Sequence, residues 1–345
     1  MSNLLRHAQQ WLHRRQLCLV PIVLLISACG GAHTLTPVAA ISPATGQIAW
    51  LSPLQQRDAL AISRWRAAVG SPLITRPEGE ESSAAVDGLT IVSWNIALDS
   101  GDVVKLVGEL RAESPGRPLV LLLQEAFRSG DDVPASRADA IFAAHLGRSD
   151  PAREIDDVAR ALGMFLYYVP SMRNGTWRHN EDRGNAVLSS VPLSDLAAIE
   201  LPFEHQRRVA VAATIAARTM RGDAWSLRLA SVHLDNLVGA RNGWIATEYG
   251  RARQARGLRE ALTGTIPIVV AGDFNTWFGF SDQTYLETAR AFPQTRVQDA
   301  RRTFRGLLRL DHVFYQLPAG WTAKVRRGES SHGSDHYPLI TSLTF

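Results

Sequence analysis

The sequence contains very little cysteine. Two of its 345 residues are cysteines, Cys18 and Cys29, and both lie near the start of the chain. The region after Cys29 therefore has no cysteine with which to form an intramolecular disulfide, and a cysteine-ligated zinc site is excluded there. A fold in that region must be stable through packing and hydrogen bonding alone.

The chain also lacks a dominant charge and a repeat. Its formal net charge is +4 at pH 7, and three of the positive charges, on Arg6, Arg14 and Arg15, lie at the start without a neighbouring acid. The rest of the chain is therefore close to neutral, and global charge predicts no particular partner. A hydrophobic content of 46% with 20% charged residues is typical of a globular protein.

The first residues have the layout of a secretory signal. Their positive charges precede an apolar stretch over residues 17–26, which is too short to span a bilayer comfortably. Residues 26–29, Ile-Ser-Ala-Cys, resemble a bacterial lipobox, which predicts a lipoprotein signal peptide over residues 1–28 and an acylated Cys29. Because Gly30 and not Asp follows, we expect secretion across the inner membrane and a periplasmic, outer-membrane anchor. The alternative is a simple cleaved signal in which Cys29 is incidental.

Residues 29–86 are predicted to form the acylated N-terminus, a linker and a short helix. Residues 30–52 are rich in Ala, Thr, Pro and Gly, a composition typical of a flexible spacer. Pro53 is placed to open a helix that runs to about Val69, and residues 72–83 form a second predicted loop.

From Leu89 onward, short β-rich runs alternate with helical patterns. Strands are predicted at 89–95, 119–124, 164–169, 185–189, 208–217, 226–233, 267–272, 311–315 and 338–344. Helices are predicted at 103–113, 136–146, 153–162, 248–263 and 282–291. Many strands with helices between them, but without a strict βαβ rhythm, fit an α/β architecture of two packed sheets with helices outside.

Short polar motifs follow or end the apolar runs. They are Trp94-Asn95, Gln124-Glu125, Gly184-Asn185, His233-Leu234-Asp235, Gly272-Asp273-Phe274-Asn275, Leu310-Asp311-His312 and Ser334-Asp335-His336-Tyr337. Carboxylates, amides and imidazoles placed repeatedly at strand ends indicate one converging site. A set rich in oxygen ligands and lacking thiolates suits a hard cation and phosphoryl chemistry better than structural zinc.

In order and residue type, these motifs resemble the endonuclease/exonuclease/phosphatase superfamily, the deoxyribonuclease-I-like metal-dependent hydrolases of phosphate esters. The resemblance covers about residues 87–345. It implies a catalytic domain over those residues with the deoxyribonuclease-I-like four-layer fold, a two-sheet β-sandwich flanked by helices. It also implies Mg²⁺ as the cofactor, with Mn²⁺ as an alternative.

The resemblance also implies a set of metal ligands. Glu125 ends the apolar run over residues 119–123, where a buried strand would deliver its carboxylate to the end of a sheet. By the resemblance it is the principal Mg²⁺ ligand. Asn95 has an amide that can coordinate metal or donate to a phosphate oxygen, and Asp335 would lie at the metal edge.

Asp273 and Asn275 are predicted to act together. They stand two residues apart, so on an extended backbone they would project to the same side. The resemblance implies that Asp273 orients or activates the nucleophilic water and that Asn275 contacts the phosphate.

Two histidines complete the predicted catalytic set. His336 and Asp311 match the family's His–Asp pair, in which the acid fixes the imidazole tautomer and favours its charged form. Whether His336 acts as a base, an acid or a positive clamp stays open. His233 matches the family's other histidine, a candidate general acid for the leaving oxygen or a phosphate donor. Asp235 either orients His233 or caps a turn.

Asn185 and Arg183 are predicted to bind the substrate. Asn185 fits the family's motif beside the phosphate, and Gly184 permits close approach of the backbone. Arg183 is a candidate phosphate ligand. His312 is expected to be structural, because in an alternating strand it would point opposite to Asp311.

The motifs identify the bond that is cleaved and not the molecule that carries it. Arginines precede Leu310-Asp311, and Trp277 and Phe278 follow Asn275, so cations and aromatics are interleaved near the predicted mouth. These arginines are Arg296, Arg301, Arg302, Arg305 and Arg309. Such a rim fits a nucleic-acid backbone with stacked bases, or anionic lipid headgroups, or simply a solvated arginine-rich surface.

The predicted activity is that of a phosphodiesterase or nuclease in which metal assists the attack of water on phosphorus. The alternative is a sphingomyelinase-like or inositol-phosphate phosphoesterase acting on lipid headgroups. A non-catalytic phosphate-binding protein is disfavoured because the principal motif positions all retain reactive side chains. No protein partner is inferred, and a monomer is expected.

Overall fold

The computed structural model describes residues 35–38, 48–53, 56, 58–77, 85–134, 153–173, 180–236, 244–262, 264 and 267–345. The predicted signal peptide over 1–28, the lipidation site Cys29 and the helix predicted at 136–146 lie outside these residues. None of the helices in the described ranges combines the length and the apolar content needed to cross a membrane.

Strands and helices are interspersed along the chain. The strands are β1 Leu35–Val38, β2 Ala49–Pro53, β3 Leu73–Thr75, β4 Gly88–Asn95, β5 Leu119–Ser129, β6 Phe165–Arg173, β7 Glu181–Ser189, β8 Leu193–Glu200, β9 Val209–Arg218, β10 Ala224–His233, β11 Ile268–Asp273, β12 Asp311–Gln316, β13 Thr322–Arg327 and β14 Leu339–Thr344. The α-helices are α1 Ala59–Ala67, α2 Val103–Glu113, α3 Ile155–Leu162, α4 Trp244–Leu262 and α5 Gln283–Ala291.

The strands form two mixed sheets. One has the order β1-β2-β8-β9-β10-β11-β12, and the other has the order β13-β14-β4-β5-β7-β6-β3. The pairs β4–β5 and β10–β11 are parallel. In these pairs Asn95, the last residue of β4, lies opposite Gln124 of β5, and the last residues of β10 and β11, His233 and Asp273, lie opposite each other.

Three apolar layers hold the sheets and helices together. Side chains such as Ile91, Val120 and Leu229 fill the space between the two sheets. Alternate residues of the same strands face outward, where one sheet is covered by α2 and α3 and the other by α4 and α5. Strands buried on both faces read as continuous apolar runs, as at 119–123. The predicted α/β sandwich flanked by helices is confirmed.

Part of the predicted linker joins this sandwich. β2 pairs in parallel with β8, and β3 pairs antiparallel with β6. Arg66 of α1, the helix between β2 and β3, forms an ion pair with the buried carboxylate of Glu200. The backbone amide of Gly70 donates to Asp182 Oδ2 at 2.8 Å. Residues 49–52 therefore lie in a sheet and not in a flexible spacer, and the helix predicted from Pro53 begins at Ala59.

Apart from β1, β2 and β3 of the N-terminal segment, two strands were not predicted. β8 is interrupted by a register shift between Ser194 and Ala197, where Asp195 has a φ of 46°, so its side chains do not alternate regularly. β13 is an edge strand and carries Lys324 and Arg326, charges that are common on exposed sheet edges but weaken a strand pattern.

Gly272 is expected to be indispensable for folding. Its φ is +155°, and a Cβ at this position would lie 1.8 Å from the Val232 carbonyl oxygen of the neighbouring strand. We expect Gly272→Ala to lower the free energy of unfolding by about 3 kcal/mol or more, or to prevent folding, because both backbone strain and a backbone clash are introduced.

Gly108 provides the matched control. It lies in α2, and no atom lies within 4 Å of the Cβ it would gain. Gly108→Ala is expected to stabilise the protein by about 0.5–1 kcal/mol. Urea denaturation of both variants tests the pair, and equal stability of Gly272→Ala and the wild type would contradict the strand packing described.

Candidate active site

Side chains from both sheets converge on a cavity of about 390 Å³ at one edge of the sandwich. Seven of the predicted site residues line it: Asn95, Glu125, His233, Asp273, Asn275, Asp335 and His336. The convergence follows from the two parallel pairs, because Asn95, His233 and Asp273 are the last residues of β4, β10 and β11. Asp311 lies behind His336, and Asn185 and Arg183 line a neighbouring, smaller cavity.

Asp273 lies at the centre of the group. Its Oδ2 is 3.5 Å from His233 Nε2 and 3.8 Å from His336 Nε2, and it accepts a hydrogen bond of 3.1 Å from Asn95 Nδ2. Its Oδ1 accepts from the Asn275 amide at 2.9 Å. Burial raises the pKa of Asp273 to about 7, although the charge of His336 opposes this shift. Such a carboxylate is a suitable proton acceptor near neutral pH.

His336 is held by Asp311. Its Nδ1 lies 2.8 Å from Asp311 Oδ2, and both side chains are buried. Burial alone would lower the pKa of His336, but the charge and the hydrogen bond of Asp311 outweigh burial and raise this pKa to about 10. The imidazole is therefore cationic at neutral pH, and its Nε2 faces the cavity side occupied by Asp273.

Two motif residues that carry no chemistry fix the position of His336. Trp94 Nε1 donates to the His336 carbonyl at 2.9 Å. Ser334 Oγ donates to the Asn95 carbonyl at 2.7 Å and accepts from the His336 amide at 3.0 Å. The first and last motifs of the chain are thus joined directly, although about 240 residues separate them.

Glu125 reaches the cavity through a distortion of β5. The pairing of β5 with β7 shifts register between Leu123 and Ala126, and Glu125 has a φ of 55°, which is rare for a residue with a side chain. Gln124, the residue before it, is fully buried and donates to Ser231 Oγ of the opposite sheet at 2.9 Å. The preceding residue is therefore anchored in the core while Glu125 turns toward the cavity.

The donor chemistry of the cavity fits a hard cation. Glu125 Oε2 lies 3.7 Å from Arg183 Nη1, and its carboxylate is partly exposed. Asp335 is 33% exposed and contacts Arg305 at 3.4 Å. Asn95 Oδ1 accepts from the Ala97 amide at 3.0 Å, which leaves one lone pair on that oxygen. Carboxylate and amide oxygens on one cavity wall are the ligands that Mg²⁺ prefers.

A second combination of acidic and imidazole groups is also close enough to hold an ion. Among the described residues, Asp273, Asp311 and His336 place ligand atoms within 4.8 Å of one another. The short contact between His336 Nδ1 and Asp311 already uses that nitrogen, so this trio is better suited to proton handling than to metal binding.

One expectation about these residues needs correction, and the contacts of Asp235 bear on an alternative that the sequence left open. Asn275 does not continue an extended backbone after Asp273: its φ is 51°, and its Nδ2 donates to the Leu234 carbonyl at 3.0 Å. Both residues nevertheless line the same cavity, because the turn places the amide beside the carboxylate. Asp235 Oδ2 accepts hydrogen bonds from the backbone amides of His205 and Gln206 at 2.9 and 2.7 Å. Asp235 therefore organises the turn that precedes β9.

His233 is buried and neutral. Burial lowers its pKa well below the ordinary value, and the positive charges of Arg208, Arg183 and His336 lower it further. A neutral imidazole carries one N–H, so His233 is suited to donate a hydrogen bond to a phosphate oxygen.

Beside the main cavity lies a smaller one of about 10 Å³. Asn185, Arg183 and Arg208 line it together with Glu125 and His233, which also line the main cavity. Asn185 Nδ2 donates to the Val209 carbonyl at 2.7 Å. Arg208 was not predicted, because in the sequence it forms a pair with Arg207 before a strand and resembles a surface cation.

The predicted cationic rim is smaller than the sequence suggested. Only Arg305 of its five arginines lines the main cavity, where it accompanies Trp277 and Phe304. Arg301 is held by Asp299 and Glu329. Arg309 lies over the ring of Phe280, and Phe278 is 52% exposed.

Comparison with known proteins agrees with this geometry. Residues 92–336 match the endonuclease/exonuclease/phosphatase family. The UPF0294 protein of Vibrio parahaemolyticus is 41% identical over 81 residues, which cover 23% of this chain and 28% of that protein. The chain thus spans less than a third of the length of this curated relative.

One solved structure shares the fold. The endonuclease/exonuclease/phosphatase from Beutenbergia cavernae superimposes with a TM-score of 0.52 and 20% sequence identity, and the match covers 75% of this chain and 72% of that one.

His312 is expected to make stability depend on pH. It is buried among aromatic rings, and its Nε2 lies 2.7 Å from Thr276 Oγ1. Burial, aided by the charge of Arg309, lowers its pKa well below the ordinary value of 6.5. Below about pH 6.5 the unfolded chain therefore takes up a proton that the folded chain cannot, and this contribution to stability is lost as the pH falls.

His312→Asn removes this titration. We expect the variant to be less stable than the wild type by roughly 1–3 kcal/mol at alkaline pH, because the contacts of the ring are lost. The difference should narrow between about pH 7 and pH 5, since only the wild type loses the His312 contribution. Urea unfolding across this range measures the difference, and a gap that stays constant would show that His312 is not buried in its neutral form.

Proposed function

Because the chain belongs to the endonuclease/exonuclease/phosphatase family, we propose that it is a metal-dependent phosphoesterase in which water attacks phosphorus. The observation that carries this proposal is the arrangement around Asp273. A buried carboxylate with a raised pKa stands within 4 Å of a neutral and of a cationic imidazole, beside the partly exposed carboxylate of Glu125. Hydrolysis of a phosphate ester needs a proton acceptor for water and groups that stabilise charge on the phosphoryl oxygens, and these side chains can supply both.

Asp273 accepts the proton of the attacking water in this proposal. Burial favours the protonated form of its carboxyl, so the group gains a proton near neutral pH more readily than an exposed acid. The side-chain amide of Asn95 donates to one carboxylate oxygen of Asp273, and the backbone amide of Asn275 donates to the other, so both orient the group. Asn275, whose own amide lines the cavity, contacts a phosphate oxygen.

The two histidines stabilise charge on the phosphoryl group. His336, kept cationic by Asp311, acts as a positive clamp on a phosphate oxygen. His233 is neutral, and it donates its single N–H to the phosphate or to the leaving oxygen. The opposite charge states follow from their partners, since Asp311 touches one ring while two arginines lie near the other.

Glu125, Asn95 and Asp335 would hold Mg²⁺ or Mn²⁺. All three line the cavity and have oxygen atoms that can bind a cation, and Glu125 reaches the cavity with a backbone φ of 55°. A cation bound there supplies charge stabilisation to the phosphoryl oxygens.

The substrate class we propose is a phosphodiester in nucleic acid. Trp277 and Arg305 on the cavity wall support it, because an aromatic ring can stack on a base while a guanidinium contacts the backbone. The exposed side chains of Phe278 and Leu307, 52% and 64% accessible, favour a second candidate. They would suit a substrate in a lipid headgroup, such as a sphingomyelin-like or inositol-phosphate ester.

We also propose that the protein is a periplasmic lipoprotein anchored to the outer membrane at Cys29. The lipobox-like residues 26–29 support this proposal. Radiolabelled palmitate should be incorporated into the wild type and not into Cys29→Ala, which should be recovered in the soluble periplasmic fraction. Equal labelling of the two proteins would exclude acylation at this cysteine.

The activity itself is tested with Asp273→Asn and Glu125→Gln, each of which preserves size and removes one charge. We expect turnover to fall by about 100- to 10,000-fold in both, because each residue acts directly on the reacting groups. In Glu125→Gln, added Mg²⁺ should restore part of the activity. Hydrolysis of plasmid DNA, RNA, sphingomyelin, an inositol phosphate and bis-p-nitrophenyl phosphate, with Mg²⁺ or EDTA, is the measurement.

Asp157→Asn is the control for this experiment, because Asp157 lies on the exposed surface of α3 and pairs only with Arg160 there. It should retain the activity of the wild type. Undiminished turnover in Asp273→Asn, or cleavage that is insensitive to EDTA, would refute the proposed mechanism. The substrate that is cleaved decides between nucleic acid and lipid headgroups.

A further inference from the structure

Arg208 is a buried cation whose guanidinium bonds to a neutral group and not to a carboxylate. Its side chain is 5% exposed, and its Nη2 donates at 2.6 Å to the neutral amide oxygen of Gln206. Its Nε has no hydrogen-bond partner, and no ion pair joins Arg208 to an acid among the described residues. The adjacent Arg207 differs, because it donates to Glu200 at 2.7 Å and to the Pro170 and Ser171 carbonyls.

Leaving such a charge unpaired is unfavourable for the folded protein. Removing a guanidinium from water carries a large desolvation penalty unless an opposite charge compensates it. Burial accordingly lowers the pKa of Arg208, despite more distant acids that raise it. An unpaired buried charge that lines a cavity is the expected state of a group whose counter-ion arrives with the ligand.

The position of Arg208 indicates what that ligand is. Arg208 lines the small cavity of about 10 Å³, and Glu125 and His233 line both this cavity and the main one. A space of this size accepts about one water molecule or one oxygen atom. An oxygen bound there belongs to a group whose central atom lies in the main cavity, beside Glu125 and His233.

The other charges of the small cavity leave Arg208 available. Glu125 brings a carboxylate to it, and Arg183 lies 3.7 Å from that carboxylate. The charges of this pair offset each other, whereas Arg208 forms no ion pair among the described residues, and Asp235, Glu125 and Asp273 act on its charge only from beyond ion-pair distance.

The side chain of Arg208 is also held in place. Gln206, which accepts its hydrogen bond, donates its own backbone amide to Asp235, and the Asp235 amide donates to Gln254 at 2.9 Å. On the other side, Ser171 Oγ accepts from the amide of Val209 at 3.1 Å, so the backbone after Arg208 is fixed as well. A positioned guanidinium binds an anion with little loss of conformational entropy.

We propose that Arg208 binds a non-bridging oxygen of the substrate phosphate in the small cavity. The inference rests on the proposed function, since it assigns a further substrate-binding residue to the same site. It also gives a role to Asp235, part of the His-Leu-Asp motif: its carboxylate accepts from the Gln206 amide, and the Gln206 side chain accepts from Arg208.

The test uses Arg208→Gln and Arg208→Lys, with Arg228→Gln as the matched control. Arg228 is also partly buried and bonds only to neutral oxygens, but it lies within β10 and lines neither cavity. Binding of inorganic phosphate is measured by calorimetry in the presence of Mg²⁺, and kcat/KM is measured on the substrate identified in the panel described above.

Arg208→Gln should weaken phosphate binding and lower kcat/KM by roughly 10- to 100-fold, as expected for one lost hydrogen bond to a charged group. Arg208→Lys should recover part of both, because it keeps the charge but not the geometry. Arg228→Gln should match the wild type. Gln206→Ala, which frees the guanidinium without removing it, should weaken phosphate binding by a smaller factor.

Wild-type phosphate affinity in a folded Arg208→Gln variant would overturn the proposal, whatever the activity of the protein. If Arg208→Gln does not fold, wild-type affinity in both Arg208→Lys and Gln206→Ala would overturn it. A wild type that binds phosphate through Arg208 but hydrolyses nothing in the panel would instead refute the proposed function and leave this inference standing.

Discussion

The carboxylate of Asp273 is only 2% exposed, so water contributes almost nothing to the solvation of its charge. The protein has to supply that solvation from side chains that lie far away in the sequence. At about 4 Å and an effective dielectric constant near 20, two unit charges attract each other by about 4 kcal/mol, several times the net contribution of an ordinary hydrogen bond. The His336 imidazolium, 3.8 Å away, supplies part of this stabilisation and opposes the effect of burial on the pKa of Asp273. The contacts of Trp94 and Ser334 are the means by which the fold positions His336.

The chemistry of the site is set by small differences between similar groups. Two imidazoles flank Asp273, yet one is cationic because Asp311 touches it, and the other is neutral because it is buried without such a partner and has Arg208 and Arg183 nearby. Two consecutive arginines precede β9, but Arg207 donates to the Glu200 carboxylate whereas Arg208 lines a cavity. Burial turns these differences into distinct protonation states and distinct roles, since charges that water would screen on the surface act at full strength inside.

The sequence predicted the architecture and most of the cavity wall, because both depend on short-range patterns. Apolar runs that end in polar residues mark strand ends, and Asn95, Glu125 and Asp273 were found in this way. The pattern did not reveal features that depend on tertiary contacts. The positive φ of Glu125 and of Asn275 has no local signal, since neither residue is a glycine. Arg208 is distinguished from Arg207 only by what each meets across the sheets, and β8 is hidden by its irregular register at Asp195.

The strands β1, β2 and β3 of the N-terminal segment determine where one edge of each sheet lies. β2 covers the outer side of β8, and β3 covers the outer side of β6, so the segment that precedes the family-matched residues 92–336 occupies an edge position in each sheet. Without this segment, β8 and β6 would present rows of unpaired amide and carbonyl groups, the surface on which strands of separate molecules join. The ion pair between Arg66 and Glu200 and the Gly70 hydrogen bond to Asp182 hold this cover in place. The edges on these sides are therefore the short strands β1 and β3, of four and three residues, which offer fewer free backbone groups to another molecule than β8 and β6 would.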